Sequence, residues 1–253
     1  MTRLNLLGVN SDAQTFAEAI QTLLTWAQSS AKYYVCTCPV YTLMMGREKP
    51  LVRAALNQAD MVTADGMPIV WLQRQMGEKQ AERVYGPDVM LALCEQGQAH
   101  GLRHYFWGGL PEVVDQLVIR LQAQFPDMIV AGAYSPPMAE LGTQPDADAV
   151  QRLTMARPDV IWVGLGSPKQ DLWMALHRPE LNAPLLIGVG AAFDMIAGFK
   201  RQAPKWMQRS GTEWLFRLLQ EPRRLAKRYL VYNPLFIGLA LQQIFARQKQ
   251  PKV

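Results

Sequence analysis

Asp65 is the first residue in this chain whose type and setting could do chemistry. It stands in Thr63-Ala64-Asp65-Gly66, directly after the apolar run Met61–Ala64. A carboxylate at the end of a strand can act as general base toward a sugar hydroxyl. It can also cap a helix that begins near Pro68. Arg83, in Arg83-Val84-Tyr85-Gly86-Pro87-Asp88, is placed to grip a diphosphate or an acceptor oxygen, or to form a surface ion pair. Gly164-Leu165-Gly166-Ser167-Pro168-Lys169-Gln170 follows an apolar run and opens a helical one. Glycines there let backbone N–H groups approach a phosphate at a helix N-terminus. The third glycine of a full dinucleotide fingerprint is replaced by Lys169, so a plain tight turn is the other reading. Gly188-Val189-Gly190-Ala191-Ala192-Phe193-Asp194 is a second such turn, and its Asp194 could bind a ribose hydroxyl or a base edge, or cap a short helix.

Other candidates carry less. Asp146-Ala147-Asp148 has the form of an Asp-x-Asp metal motif, but Pro145 precedes it and a helix follows, so first-turn carboxylates facing a helix dipole explain it. His100, His104 and His177 are scattered, with no hydrolase triad or zinc spacing. Cys36, Cys38 and Cys94 form no disulfide framework; Cys36 and Cys38 share a strand face and read as small buried hydrophobes. No metal site is expected.

Strand-like and helical segments alternate along the first two hundred residues. Strands are expected at Leu4–Val9, Tyr33–Thr37, Met61–Ala64, Tyr105–Trp107, Met128–Ala133, Val160–Val163 and Leu185–Val189. A capping box of Ser11 and Gln14 is expected to open the first helix, which buries Phe16, Ile20, Leu23 and Leu24. Further helices fall at Leu43–Leu56 with a break near Pro50, at Pro68–Met76, Pro87–Gln98, from Pro111, at Asp146–Met155 and at Pro168–Leu176. Near-continuous apolar strands between helices imply an α/β, Rossmann-like fold with a mainly parallel sheet. Ligands of such sheets bind at the carboxyl ends of the strands. Thr37, Asp65, Gly108, Gly109, Tyr134, Gly164, Gly166 and Gly190 should therefore border one crevice.

The character changes after Gly198. The 253 residues carry a net charge of +5, yet the stretch from Lys200 onward carries +10 and the remainder −5. This divides the chain into a catalytic α/β domain, 1–198, and a helical basic appendage, 199–253. Within the appendage lie helices at Glu213–Leu219 and from Leu225 to Arg247, the second opened by Pro222-Arg223-Arg224. Asn233, Pro234, Gln242 and Gln243 interrupt its apolar run, which makes a poor bilayer span. Basic residues beside Tyr, Phe and Leu suit an interfacial helix on anionic lipid, or packing against the domain. The basic residues keep to the tail, which argues against nucleic acid. Met1–Asn5 lacks the apolar core of a signal peptide, so a cytoplasmic location at the inner membrane face is expected. A two-fold or three-fold homo-oligomer would give the tail an apolar surface, though no interface signature is visible.

Taken together these segments resemble the WecG/TagA/CpsF glycosyltransferase family along nearly the whole chain. The resemblance rests on Thr63–Gly66, Arg83–Asp88, Trp107-Gly108-Gly109, Val163–Gln170, Gly188–Gly190 with Asp194, Arg201-Gln202-Ala203-Pro204 and Glu213–Leu218. It implies an inverting, metal-independent transferase. The donor would be a UDP-sugar, commonly of N-acetylmannosamine or its uronate. The acceptor would be a polyprenyl-diphosphate-linked sugar in surface polysaccharide or teichoic acid synthesis. No cofactor beyond the donor is implied. The family's base falls on Asp65, with Thr37 and Arg83 beside it; Gln170 and Asp194 fall near the nucleotide. Arg217, Arg223, Arg224 or Arg228 would reach the site from the appendage.

One segment departs from the family pattern. Where relatives often carry Thr-x-Asn-x-Glu, this chain reads Thr37-Cys38-Pro39-Val40-Tyr41. Pro39 and Tyr41 cannot repeat amide or carboxylate bonding, which opens the donor to glucose or other hexoses. Two rival readings differ in kind. A dinucleotide dehydrogenase needs a complete glycine fingerprint with an acid about 20 residues on, and a non-catalytic membrane adaptor needs no Asp65.

Overall fold

A computed structural model describes residues 1–137 and 141–248. The last five residues of the expected appendage, 249–253, lie outside the described residues. Eight strands form one sheet: β1 (Thr2–Leu6), β2 (Val9–Ala13), β3 (Tyr33–Cys38), β4 (Met61–Ala64), β5 (Arg103–Gly108), β6 (Ile129–Tyr134), β7 (Val160–Gly164) and β8 (Leu185–Gly188). Their order is β1-β2-β4-β3-β8-β7-β5-β6. β1 pairs antiparallel with β2, and every other pairing is parallel.

Helices cover both faces: α1 (Phe16–Ala27), α2 (Val40–Glu48), α3 (Pro50–Gln58), α4 (Met67–Gln75), α5 (Gly86–Gly97), α6 (Pro111–Gln124), α7 (Ala147–Ala156), α8 (Lys169–His177) and α9 (Ala192–Ile196). All four residues of β4 and all four of β8 are buried. Their runs carry no polar alternation because neither face meets water. Along β5, Tyr105 and Trp107 point into one core with Leu43, Leu56 and Ile161, and Phe106 into the other with Leu23, Leu93 and Phe193. Proline at the first or second position starts α3, α4, α5 and α6, where its missing N–H costs nothing.

The start of the chain differs from the sequence expectation. Leu4–Val9 is not one strand but the bend of a hairpin, with Leu6 opposite Val9. Leu7 and Gly8 both take positive φ, 54° and 93°, the conformation that a two-residue hairpin turn needs. Ser11 therefore falls in β2, where its hydroxyl accepts from Gln73 Nε2 at 2.9 Å. Gln14 is buried and faces Met61. The capping box that opens α1 belongs to Thr15 and Glu18, each side chain accepting the other's backbone N–H.

The C-terminal helices are α10 (Lys205–Arg209), α11 (Glu213–Gln220), α12 (Pro222–Leu230) and α13 (Tyr232–Gln248). The expected continuous helix from Leu225 is thus divided at Val231. Pro234 sits in the first turn of α13, where proline is tolerated. Gln243 fastens α13 to the hairpin, accepting from Leu7 N at 3.1 Å and donating to Asn5 O at 2.7 Å. Arg247 donates to Met76 O at 2.7 Å. By length and composition alone, Pro222–Arg247 is long and apolar enough to cross a membrane. Leu230, Val231, Leu235, Ile237, Leu241 and Phe245 are exposed along it.

Candidate active site

A cavity of about 270 Å³ opens at the carboxyl ends of β3, β4, β7 and β8, walled on one side by α11 and α12. Thr37, Asp65, Gly166, Gln170, Gly190, Arg217, Arg224 and Arg228 all line it. A sequence interval of almost two hundred residues is closed there because each parallel strand delivers its loop to the same edge of the sheet.

Asp65 forms the floor. Its backbone N–H donates to Cys38 O at 3.2 Å, which ties the end of β4 to β3. Its Oδ1 accepts from Gly86 N at 3.1 Å. Burial raises the carboxyl above its ordinary pKa, and the charge of Arg83 and the Gly86 N–H oppose that only in part. The carboxylate is held by one backbone donor and faces the cavity, so it can accept a proton. Asp65 does not cap α4: that helix begins after Gly66 and has no side-chain cap.

Arg83 is already occupied. Its Nε donates to the backbone oxygen of Asp65 at 2.6 Å, Nη1 to Gln208 at 3.3 Å and Nη2 to Glu213 at 2.5 Å. Its guanidinium lies 3.8 Å from the Tyr85 ring centre. Tyr85 in turn donates to the other oxygen of Glu213 at 3.1 Å. Arg83 thus fastens α10 and α11 beside Asp65, and most of its donors are used there.

The free cations come from α11 and α12. Neither Arg217 nor Arg228 has a carboxylate within ion-pair distance among the described residues. Arg228 is seated over the Tyr41 ring at 4.4 Å, and its buried Nε has no hydrogen-bond partner among the described residues. Burial, together with Arg217 and Arg224 nearby, lowers its pKa. Cations crowded in one place without counter-charge make a site for an anion. Arg224 lines the same cavity but pairs with Glu221 at 2.6 Å, while Arg223 does not line it.

The two glycine turns serve different ends. Gly166 takes positive φ, and its N–H donates to Gln170 Oε1 at 3.1 Å. Gln170 is buried and props the turn open from below, so the Gly166 N–H is not available to a phosphate. Ser167, Pro168 and Lys169 present the N-terminal end of α8 to the cavity, and Gly190 borders it beside Ala191 and Ala192. Thr37 donates to Gly188 O at 2.7 Å, locking β3 to β8 at the lip.

Five further expected residues, Gly108, Gly109, Tyr134, Gly164 and Asp194, lie elsewhere. Gly108 has φ 123°, and a Cβ there would come within 2.7 Å of the Gly164 carbonyl carbon. Gly109 N–H donates to Gly164 O at 3.2 Å, and a Cβ on Gly164 would strike Phe193 at 2.6 Å. Gly108, Gly109 and Gly164 thus let β5, β7 and α9 pack closely and do not line the cavity. Tyr134 packs against Trp107 with ring centres 5.1 Å apart and the planes tilted by 36°, and lies under Arg152 at 4.1 Å, also away from the cavity. Asp194 is turned toward Lys200, 3.3 Å away. Asp146 caps α7 through Asp148 N and Ala149 N, and neither acid of that triplet borders the cavity.

Against known proteins, the model of the glycosyl transferase WecG/TagA/CpsF family matches residues 4–250. The chain belongs to the WecG/TagA/CpsF glycosyltransferase family. It is therefore an enzyme that transfers a sugar, which sets aside the dehydrogenase reading. A relative from Staphylococcus aureus (strain MW2) is named N-acetylglucosaminyldiphosphoundecaprenol N-acetyl-beta-D-mannosaminyltransferase. It is 25% identical over 227 residues, covering 89% of this chain and 87% of its own. A protein of the same name from Bacillus spizizenii is 24% identical over 216 residues, covering 85% and 81%.

Within this family member, sequence reasoning missed Glu213 and Tyr41 as parts of the site. Glu213 belongs to the conspicuous Glu213-Trp214-Leu215-Phe216-Arg217 run, but nothing in that run shows that its partner is Arg83. Tyr41, one of the departures from the family pattern, supplies the aromatic face on which Arg228 rests.

Proposed function

We propose that this enzyme moves a hexose-type sugar from a UDP-sugar to a polyprenyl-diphosphate-linked sugar, with inversion and without a metal ion. N-acetylmannosamine, its uronate and glucose are the candidate sugars. The observation that carries the reading is the pairing of a half-buried, proton-accepting Asp65 with two arginines that have no carboxylate partner among the described residues, across one cavity. The names of the relatives support the acceptor class, since both include a diphosphoundecaprenol-linked N-acetylglucosamine.

In this scheme Asp65 takes the proton of the acceptor hydroxyl as its oxygen attacks the anomeric carbon from the face opposite the leaving group. The bond to the UDP oxygen breaks, and the charge that develops there is met by Arg217, Arg228 and the N-terminal end of α8. Such cations supply the neutralisation that a divalent ion gives in other transferases. The Asp146–Asp148 pair is no competitor for that task, because Asp146 is engaged in capping α7. Thr37 shapes the lip, and Arg83 keeps α11 and its arginine in place. The +10 charge from Lys200 onward and the exposed apolar face of α13 fit a peripheral location at the inner membrane surface, where the acceptor resides.

The test is UDP release from a panel of UDP-sugars, in EDTA, with and without a polyprenyl-diphosphate-linked N-acetylglucosamine. Acceptor-dependent release from one donor is expected. Release only after Mg²⁺ or Mn²⁺ is restored would overturn the metal-independent part, and tight UDP binding without transfer to any acceptor would favour the adaptor reading.

A further inference from the structure

A second, apolar groove of about 410 Å³ runs between α4 and the pair α12–α13. Its size falls within the range of small-molecule pockets, about 300–1,000 Å³. Trp71, Trp214, Phe236, Ile237 and Leu241 form much of its wall. Trp71 is held across its mouth by Gly211: a Cβ there would meet the indole at 2.6 Å. The groove is continuous with the active site. Pro68, Trp214, Tyr229 and Asn233 line both it and a smaller pocket of about 70 Å³, whose far wall is Asp65, Arg83, Arg217 and Arg228. The polarity therefore falls along one path, from the arginines, past Asp65, to aromatic and aliphatic side chains, and then to the exposed Ile237 and Leu241.

We infer that this groove holds the first isoprene units of the acceptor's hydrocarbon chain. The inference rests on the function proposed above, because it takes the acceptor to be a diphosphate-bearing isoprenoid. A groove that starts at the reaction centre must receive a hydrocarbon joined to the molecule reacting there. A bilayer acyl chain has no such attachment, and a second copy of this chain would stand between Asp65 and the acceptor's tail. The acceptor's sugar would lie at Asp65, and the chain would pass Trp214 and leave between Trp71 and Ile237. The groove thus sets chain chemistry as a specificity element that is separate from the sugar site.

The inference is tested by binding rather than by transfer. Quenching of tryptophan fluorescence in the full-length protein, without detergent, would compare farnesyl diphosphate with inorganic diphosphate. Farnesyl diphosphate is expected to bind at least about tenfold more tightly, since several apolar carbons leave water. Ile237→Asp, at a half-exposed position that the fold tolerates, should reduce the ratio toward one; thermal melting confirms that the variant is folded. Equal affinity for the two ligands would overturn the inference, as would an unchanged ratio in Ile237→Asp. So would displacement of farnesyl diphosphate by phosphatidylglycerol vesicles, or a dimer in sedimentation that Ile237→Asp dissociates. Preferential farnesyl diphosphate binding in an enzyme that transfers sugar to no polyprenyl-linked acceptor would leave the groove standing and overturn the function proposed above instead.

Discussion

Glu213→Gln removes one charge from a half-hidden ion pair and keeps its shape. The Arg83 and Glu213 side chains are 13% and 11% exposed and meet at 2.5 Å, with Tyr85 donating to the second oxygen at 3.1 Å. Removing one partner of a buried pair costs about 3–5 kcal/mol, because the remaining charge stays desolvated. Residual exposure places this pair at the lower end, near ~3 kcal/mol. The cost falls on the contact between α11 and the segment after β4, so it weakens docking of the helices that carry Arg217 and Arg228. At roughly 1.4 kcal/mol per factor of ten, kcat/KM should fall by up to about a hundredfold. Sugar transfer to a soluble acceptor measures the rate, and limited proteolysis within residues 199–212 measures docking. Arg83→Met combined with Glu213→Gln should recover part of the docking, since no charge is then stranded. Wild-type transfer and wild-type protease resistance in Glu213→Gln would refute the reasoning. So would a rate loss with docking intact, which would give Glu213 a role at the reacting atoms.

Three further outcomes follow from other contacts. Asp171 is wholly buried in α8 beside Cys36 and Cys38, and burial pushes its carboxyl up to about 7. A carboxyl raised in the folded state favours folding below its unfolded pKa and loses that contribution as pH rises through 7. Asp171→Asn should therefore raise the melting temperature relative to wild type at pH 8 and lose that advantage at pH 4. Arg228→Met should weaken UDP binding about tenfold or more by titration calorimetry, since a cation with a buried Nε and no carboxylate partner among the described residues is removed from an anion site. Gly108→Ala should lower stability by about 2 kcal/mol, or roughly 4–8 °C in melting temperature, because its Cβ meets the Gly164 backbone.

The parallel sheet was legible because its strands are buried on both faces, so Met61–Ala64, interrupted only by Thr63, and Leu185–Gly188 stand out as apolar runs. Prolines at helix starts and glycines at strand ends marked the boundaries. The opening hairpin was not legible: Leu7-Gly8 is an uncommon pair for a two-residue turn, because leucine rarely adopts positive φ. In the site, Asp65 and Gly166 were legible from their strand-end positions, while Gln170, Arg217 and Arg228 were reached only through the family resemblance. The occupied state of Arg83 could not, because its partner Glu213 lies 130 residues away and is delivered by tertiary docking. Gly108 and Gly164 look like ligand glycines for the same reason that they pack closely: each lacks a Cβ where another backbone or ring approaches. Spacing alone does not say whether a phosphate or a phenylalanine fills that space.

Single-turnover transfer by Asp65→Asn, with UDP binding measured on the same preparation, tests the general-base assignment most directly. A fall of about 10²–10⁴ in rate is expected, with donor binding and melting temperature close to wild type. The wild-type rate should also lose activity on the acid side at a pH above the ordinary carboxylate range, a limb absent from the variant, since burial raises the Asp65 carboxyl. A folded Asp65→Asn protein that transfers sugar at the wild-type rate would contradict the assignment and move the search for the base elsewhere in the cavity.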